Sequence, residues 1–315
     1  MPVTKMRANS NAFVKICVII TLTSQTVLHV FLLSKSRRAG AQNYDISAVV
    51  AMAELLKVIV CSLVVLHCEG RAGFVDTFKE LFSKVHMAVP SILYYVQNAS
   101  LFRAARYLSP TVYIICCQSK VFTTALFSRI ILGTRYNPSQ IFSFFTLFIG
   151  VLLVQTSEVA DVESRPNTKY AQGFIYVFTA TTFSGFTGVF LERIFKQPNE
   201  SIWKRNIQLG MFALIFIIFS DECAQFNSKS NLMHGRYTFR GFDDAIVQSL
   251  VVTHAAGGLL VAMLMKYTSA VMKCFVGAIS ICIISTVESL DGGTSTRLKT
   301  IGVAFVMMSS FFQCT

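Results

Sequence analysis

Ten runs of apolar residues, each about as long as a bilayer's hydrocarbon layer requires of a helix, follow one another along this chain. They fall at about 12–33, 46–66, 86–108, 111–132, 139–156, 171–192, 203–220, 245–265, 268–288 and 299–314. A spanning helix takes roughly 20 apolar residues, so little of the 315-residue chain is left over for a soluble domain. Only 14% of residues are charged and 53% are hydrophobic, with mean hydropathy +0.57. Soluble domains carry about 25% charged residues. The chain therefore reads as one all-α transmembrane domain, 1–315, with lipid as its solvent.

The net charge of +12 is not a nucleic-acid signal. Basic residues stand singly or in pairs at the ends of apolar runs, where long side chains snorkel to headgroups. The first run is too long for the core of a cleavable leader and lacks a convincing cleavage site, so it reads as the first span. Of nine cysteines, most lie inside apolar runs, and no CxxC or Cys/His spacing suggests a metal. Cys223 falls in a polar stretch, 221–244, that reads as a loop. Residues 74–85 set Phe74, Phe78, Leu81, Phe82 and Val85 on one stripe, the pattern of an interfacial helix. The final run is short, and the sequence stops at Thr315.

A charge at mid-membrane costs at least about 2.5 kcal/mol on insertion scales, so it needs a partner, a wet cavity or a ligand. Glu54 and Lys57 stand at i and i+3 and can neutralise each other, either as a structural pair or as a gate. Lys120 has no acid within two turns of its own run, and its face carries Tyr113, Cys116, Thr123 and Thr124. That pattern suits an anionic ligand; the alternative is a cross-helix partner such as Glu54. Lys273 also lacks a local acid, whereas Lys266 marks a membrane edge. Two such lysines point to phosphate. Tyr94, Gln97 and Asn98 share a stripe that could stack a base and read its edge, or bond between helices. Asn206 and Gln208 extend the polar set. His254 stands alone and reads as a packed, hydrogen-bonded histidine. Ser184, Gly185, Gly188, Gly257 and Gly258 mark close helix packing.

Ten runs divide into two sets of five, about 12–156 and 171–314. Lys120 and Lys273 each fall in the fourth run of their set, as in an inverted repeat with its site near the midplane. Basic residues are about equally divided between the two sides, so charge alone does not orient the chain.

Several stretches carry a resemblance: Ala-Glu-Leu-Leu-Lys (53–57), Val-Pro-Ser-Ile-Leu-Tyr-Tyr-Val-Gln-Asn (89–98), Gln-Ser-Lys-Val-Phe-Thr-Thr-Ala-Leu-Phe-Ser (118–128), Gly-Val-Leu-Leu-Val-Gln (150–155), Ser-Gly-Phe-Thr-Gly-Val-Phe-Leu-Glu (184–192), Ser-Ile-Trp-Lys-Arg-Asn-Ile-Gln-Leu-Gly (201–210) and Gly-Gly-Leu-Leu-Val-Ala-Met-Leu-Met-Lys-Tyr (257–267). In these, the chain resembles the nucleotide-sugar transporters of the UDP-galactose, UDP-N-acetylglucosamine and CMP-sialic acid group. The resemblance implies ten spans in two inverted five-helix repeats, cytosolic termini and a Golgi or endoplasmic-reticulum membrane. It implies an antiporter that exchanges a nucleotide sugar, UDP-galactose or UDP-N-acetylglucosamine before CMP-sialic acid, for the nucleoside monophosphate. No cofactor, metal or nucleic acid is implied, and a homodimer is compatible. Tyr94, Gln97 and Asn98 look like nucleotide contacts, Tyr113 and Asn206 like lining positions, and Lys120 and Lys273 like phosphate contacts. The chain departs from the family at Ala99, Arg103, Arg106, Cys117, Ser119, Ser269, Ala270 and Cys274. Two other classes fit the same apolar architecture. One is a membrane-embedded glycosyl- or acyltransferase, which the lack of paired acids and of an HxxxD-like pair disfavours. The other is a non-transporting scaffold, which only the departures support.

Overall fold

The computed structural model describes residues 2–38, 44, 46–81, 85–108, 110–156, 170–197, 201–227, 241–290 and 297–314. Among these the regular structure is helical: α1 (Pro2–Arg38), α2 (Ile46–Lys79), α3 (Ala88–Tyr107), α4 (Pro110–Gln118), α5 (Lys120–Leu132), α6 (Pro138–Thr156), α7 (Tyr170–Phe195), α8 (Ile202–Asn227), α9 (Ala245–Tyr267), α10 (Ala270–Leu290) and α11 (Arg297–Cys314), with a 3-10 turn at Val85–Met87. Five of them are long and apolar enough to cross a membrane: those holding Phe13–Ser36, Ala48–Lys79, Ala171–Phe195, Ala245–Tyr267 and Ala270–Val287. Large apolar side chains stand exposed along them, Phe13 and Phe178 at 70% each. In water such a surface would drive aggregation, whereas hydrocarbon solvates it.

The predicted runs recur as helices, with three differences. The fourth run is divided at Ser119 into α4 and α5. The polar stretch from 221 begins as helix, because α8 continues to Asn227 and carries Cys223 within it; residues 228–240 lie outside the described set. The stripe expected to lie in the membrane interface belongs instead to α2, which turns at Gly70 (φ 71°, ψ −171°) and resumes. A side chain at that positive φ would be strained, while space around the residue is open. Past the turn, Phe74 and Phe78 pack beside Trp203 on a core of Val58, Cys61, Val65 and Ile207. The stripe covers protein, since α8 offers it an apolar face. The expected Phe82 falls outside the described residues.

The chain forms two compact units. The first comprises Met1–Thr23, Leu93–Lys196 and Leu264–Thr315. Its core joins Val121 and Ala125 of α5, Phe144, Leu147 and Val151 of α6, Phe275 and Ala278 of α10 and Val306 of α11. Helices α6 and α11 cross backbone to backbone: a Cβ on Gly302 would lie 2.7 Å from the Gly150 carbonyl oxygen. Sequence reading singled out neither glycine. It did single out Gly185, where a Cβ would come within 2.8 Å of the Thr123 and Thr124 backbone, so α7 lies directly on α5. Glu192 near the end of α7 is 1% exposed. Its Oε1 meets Lys196 Nζ at 2.5 Å, and its Oε2 accepts the Ala270 N–H at 2.6 Å. An acid from one helix thus satisfies an orphan donor at the start of another, where the helix dipole also favours negative charge.

The second unit comprises Ser24–Ile92 and Gln197–Met263. Val49 and Ala53 of α2 pack with Val247, Leu250, Val251 and Ala255 of α9, and Leu32 and Leu33 of α1 lie against them. Helix α8 packs on α2 through Gly210, where a Cβ would lie 2.6 Å from Val58 Cγ2. Asp244 starts α9 by accepting the Ile246 N–H at 2.8 Å.

Two substitutions follow from this packing. Gly302→Val should cost about 1–3 kcal/mol, because two backbones must separate to admit it. It is read as a lowered melting temperature of the detergent-purified protein. Glu192→Ala leaves the buried Ala270 N–H without its acceptor and should cost about 1.5–3 kcal/mol. Glu192→Gln keeps an acceptor oxygen and should melt between the two. Equal melting of all three would show that the cap contributes nothing.

Candidate functional site

Six of the seven sequence-predicted binding residues belong to the first unit: Tyr94, Gln97 and Asn98 on α3, Tyr113 on α4, Lys120 on α5 and Lys273 on α10. Local chemistry sets Lys120 apart. Ser119 Oγ donates to the Cys116 carbonyl at 2.6 Å, in competition with the helix ladder. The Phe122 N–H bonds to the Ser119 carbonyl at 3.0 Å, a one-residue tightening of the ladder. Lys120 therefore opens α5 instead of lying mid-helix. The Thr124 hydroxyl donates to the Lys120 carbonyl at 2.7 Å, and that of Thr123 reaches the Thr181 carbonyl of α7 at 2.8 Å. The Thr residues expected to extend a polar lining are thus engaged with backbone.

Lys273 lies in the first turn of α10, whose start Ser269 and Glu192 cap. The Ser269 hydroxyl accepts the Met272 N–H at 3.3 Å, and Glu192 takes that of Ala270. Next to Lys273, the Cys274 thiol lies 3.9 Å from Thr124 Oγ1, so the early turns of α5 and α10 touch. Lys273 Nζ stands 5.9 Å from the centre of the Tyr94 ring, within cation–π range. Both lysines are half-buried, and neither has a carboxylate within ion-pair distance among the described residues. Gln97 Oε1 is buried without a hydrogen-bond partner among the described residues. Asn98 is exposed. Tyr113 is half-buried, and its hydroxyl faces the Cys117 thiol one turn on.

The seventh residue, Asn206, lies in the second unit, is buried, and donates to the Ile202 carbonyl at 3.0 Å. Glu54 and Lys57 form their ion pair at 2.5 Å, with Lys57 buried. Arg205, a basic residue at the start of an apolar run, is buried and donates from Nη2 to Gln197 Oε1 at 2.8 Å.

Sequence reasoning missed two groups. Glu192 was part of a recognised stretch but not of the site; an acid seven residues after Gly185, at the end of an apolar run, was the available signal. His254 is not alone: its ring centre lies 5.4 Å from that of His29 on α1. The signal was Gln25 and His29, at i and i+4 in an otherwise apolar run.

A profile of the family described as "Nucleotide-sugar transporter" matches residues 10–313. Among curated relatives, the UDP-galactose/UDP-N-acetylglucosamine transporter srf-3 of Caenorhabditis elegans is 30% identical over 90% of this chain and 77% of its own. The UDP-N-acetylglucosamine transporter of Homo sapiens is 31% identical over 95% of this chain and 94% of its own. The UDP-galactose transporter of Schizosaccharomyces pombe is 30% identical over 94% and 86%. A crystal structure at 13% identity shares the fold, with TM-score 0.64 and 96% of each chain covered. An all-helical chain with membrane-length apolar helices, matched from residue 10 to 313, belongs to the nucleotide-sugar transporter family.

Proposed function

We propose that this protein is an antiporter that carries a UDP-sugar, UDP-galactose or UDP-N-acetylglucosamine, into the Golgi lumen and returns the nucleoside monophosphate. The observation that carries the reading is the state of Lys120 and Lys273. Two ammonium groups sit half-buried on touching helix turns without a carboxylate neighbour among the described residues. A cation in such surroundings is costly, and phosphate oxygens lower that cost. Each lysine stands in the first turn of its helix. Tyr94 beneath Lys273 offers a ring face for a base or ribose, and Gln97 offers an amide oxygen that lacks a partner among the described residues. The names of the aligned relatives favour uridine over cytidine. The termini face the cytosol in this reading.

Transport proceeds by rocking two inverted five-helix repeats. Helix pairing within each unit supports that arrangement. With α4 and α5 counted as one span, the fifth span packs on the tenth (α6 on α11) and the second on the seventh (α2 on α8). A two-fold relation between repeats maps each of these pairs onto itself. It also maps the third and sixth spans onto the eighth and first. Leu108, just past α3, meets Gly173 of α7, and His254 of α9 meets His29 of α1. Loaded with anion, the lysines are neutralised and the repeats can move; empty, they carry two uncompensated charges. Exchange instead of leak follows from that difference.

The experiment is counterflow into liposomes preloaded with UMP or CMP, tested against a panel of nucleotide sugars. UMP-driven uptake of one UDP-sugar is expected. Lys120→Ala and Lys273→Ala should each reduce exchange about tenfold or more, the loss of a charge-assisted phosphate contact. Lys→Arg at either position should retain part of it. Wild-type rates in a well-folded Lys120→Ala variant would remove this assignment, and covalent transfer of the sugar would replace it with an enzyme.

A further inference from the structure

The second unit holds a cluster of ionisable side chains that the phosphate site does not use. His29 comes from α1, His254 from α9, and Glu54 and Lys57 from α2, all within apolar helices of membrane length. Their arrangement is close. Gln25, one turn before His29, donates from Nε2 to the Thr253 carbonyl at 2.8 Å. Gly257 makes the approach feasible, because a Cβ there would lie 2.7 Å from Gln25 Nε2. His29 Nδ1 lies 3.0 Å from Thr253 Oγ1, and the imidazoles of His29 and His254 stand 5.4 Å apart, tilted by 50°.

The hydrogen bonds fix where protons sit. Thr253 Oγ1 is 2.8 Å from the Ser249 carbonyl and 3.1 Å from that of Leu250. Carbonyls only accept, so the single hydroxyl proton points at them. Oγ1 must then accept from His29, whose Nδ1 carries the hydrogen. In the neutral ring the free lone pair is left on Nε2. That is a base, held in place by a bond at its other nitrogen.

The charged groups that face His254 are Glu54 and Lys57, and the ionisable group that faces His29 is His254. Glu54 and Lys57 neutralise each other at 2.5 Å, with the lysine stem seated against Gly258. The thiol of Cys61 also faces that pair. From α8 the pair meets Gly210, which has no side chain to compete. With both imidazoles neutral the cluster has no net charge. One added proton makes it +1, and the new imidazolium competes with Lys57 for the single Glu54 carboxylate.

We propose that His29 and His254 form a proton-binding site, and that a proton bound there shifts Glu54 away from Lys57 and changes the packing of α1 and α9 on α2. The step is a protonation of an imidazole nitrogen by a proton from water, with no other bond made or broken. Imidazole is the side chain whose ordinary titration, near 6.5, falls where compartments differ in pH. Its link to exchange rests on the transporter reading; proton binding itself does not.

The test uses the full chain in detergent without nucleotide, so that phosphate titration plays no part. The melting temperature is followed from pH 8 to pH 5. The wild type should show a component of roughly 2–4 °C centred in the imidazole range. His29→Gln/His254→Gln preserves a donor toward Thr253 and should lose that component. If the double variant does not fold, His254→Gln alone should reduce it. The same pH profile in wild type and variants would overturn the proposal. Because no substrate is present, this result stands or falls separately from the counterflow assay. In that assay, at saturating nucleotide, the pH dependence of exchange should likewise flatten in the variant, and an unchanged profile would overturn the coupling.

Discussion

Among the described residues, three carboxylates of α2 and α7 lie in ion pairs. Glu54 holds Lys57 and Glu69 holds Lys204, each at 2.5 Å, while Glu192 holds Lys196 and the Ala270 N–H. This allocation governs the rest. A low-dielectric interior makes an unmatched charge expensive, so each acid engages the nearest cation of its own unit. Lys120 and Lys273 are left over. Had Glu192 turned to Lys273 instead of Ala270, α10 would have lost its cap and Lys273 would have gained a carboxylate partner.

Much of the architecture was legible because lipid enforces it. An apolar run of sufficient length in hydrocarbon has few alternatives to a helix, and the runs from 86–108 and 245–265 reappear almost residue for residue as α3 and α9. Departures arose where tertiary packing or a side-chain hydrogen bond decided the outcome. Hydropathy gave no warning that Ser119 would divide the fourth run, because serine is tolerated in apolar helices. Its Oγ bond to the Cys116 carbonyl depends on rotamer and neighbours. The Phe74 and Phe78 stripe had correct periodicity, but periodicity cannot tell a lipid surface from a protein one; Trp203, more than a hundred residues away, decided it.

The site was partly legible for a related reason. Unpaired lysines stand out in an apolar run whatever the fold. What the sequence does not reveal is which acids are already engaged, since partners come from other helices. The Glu54–Lys57 pair was readable because both ends lie on one helix. The Glu192–Ala270 bond spans two helices and involves a backbone donor, so no residue pattern announces it. His254 was read as solitary because its companion lies 225 positions earlier on α1.

The departures from the family pattern cluster around the two lysines yet leave the means of presenting them intact. Ser269 caps α10 by accepting the Met272 N–H. Ala270 supplies no side-chain acceptor, and Glu192 provides one from α7. Ser119, just before Lys120, places that lysine at the start of a new helix, as Lys273 is placed near the start of α10. Cys274 fills the contact with Thr124. The early turns of α5 and α10 thus each present a lysine beside side chains that are themselves bonded to backbone.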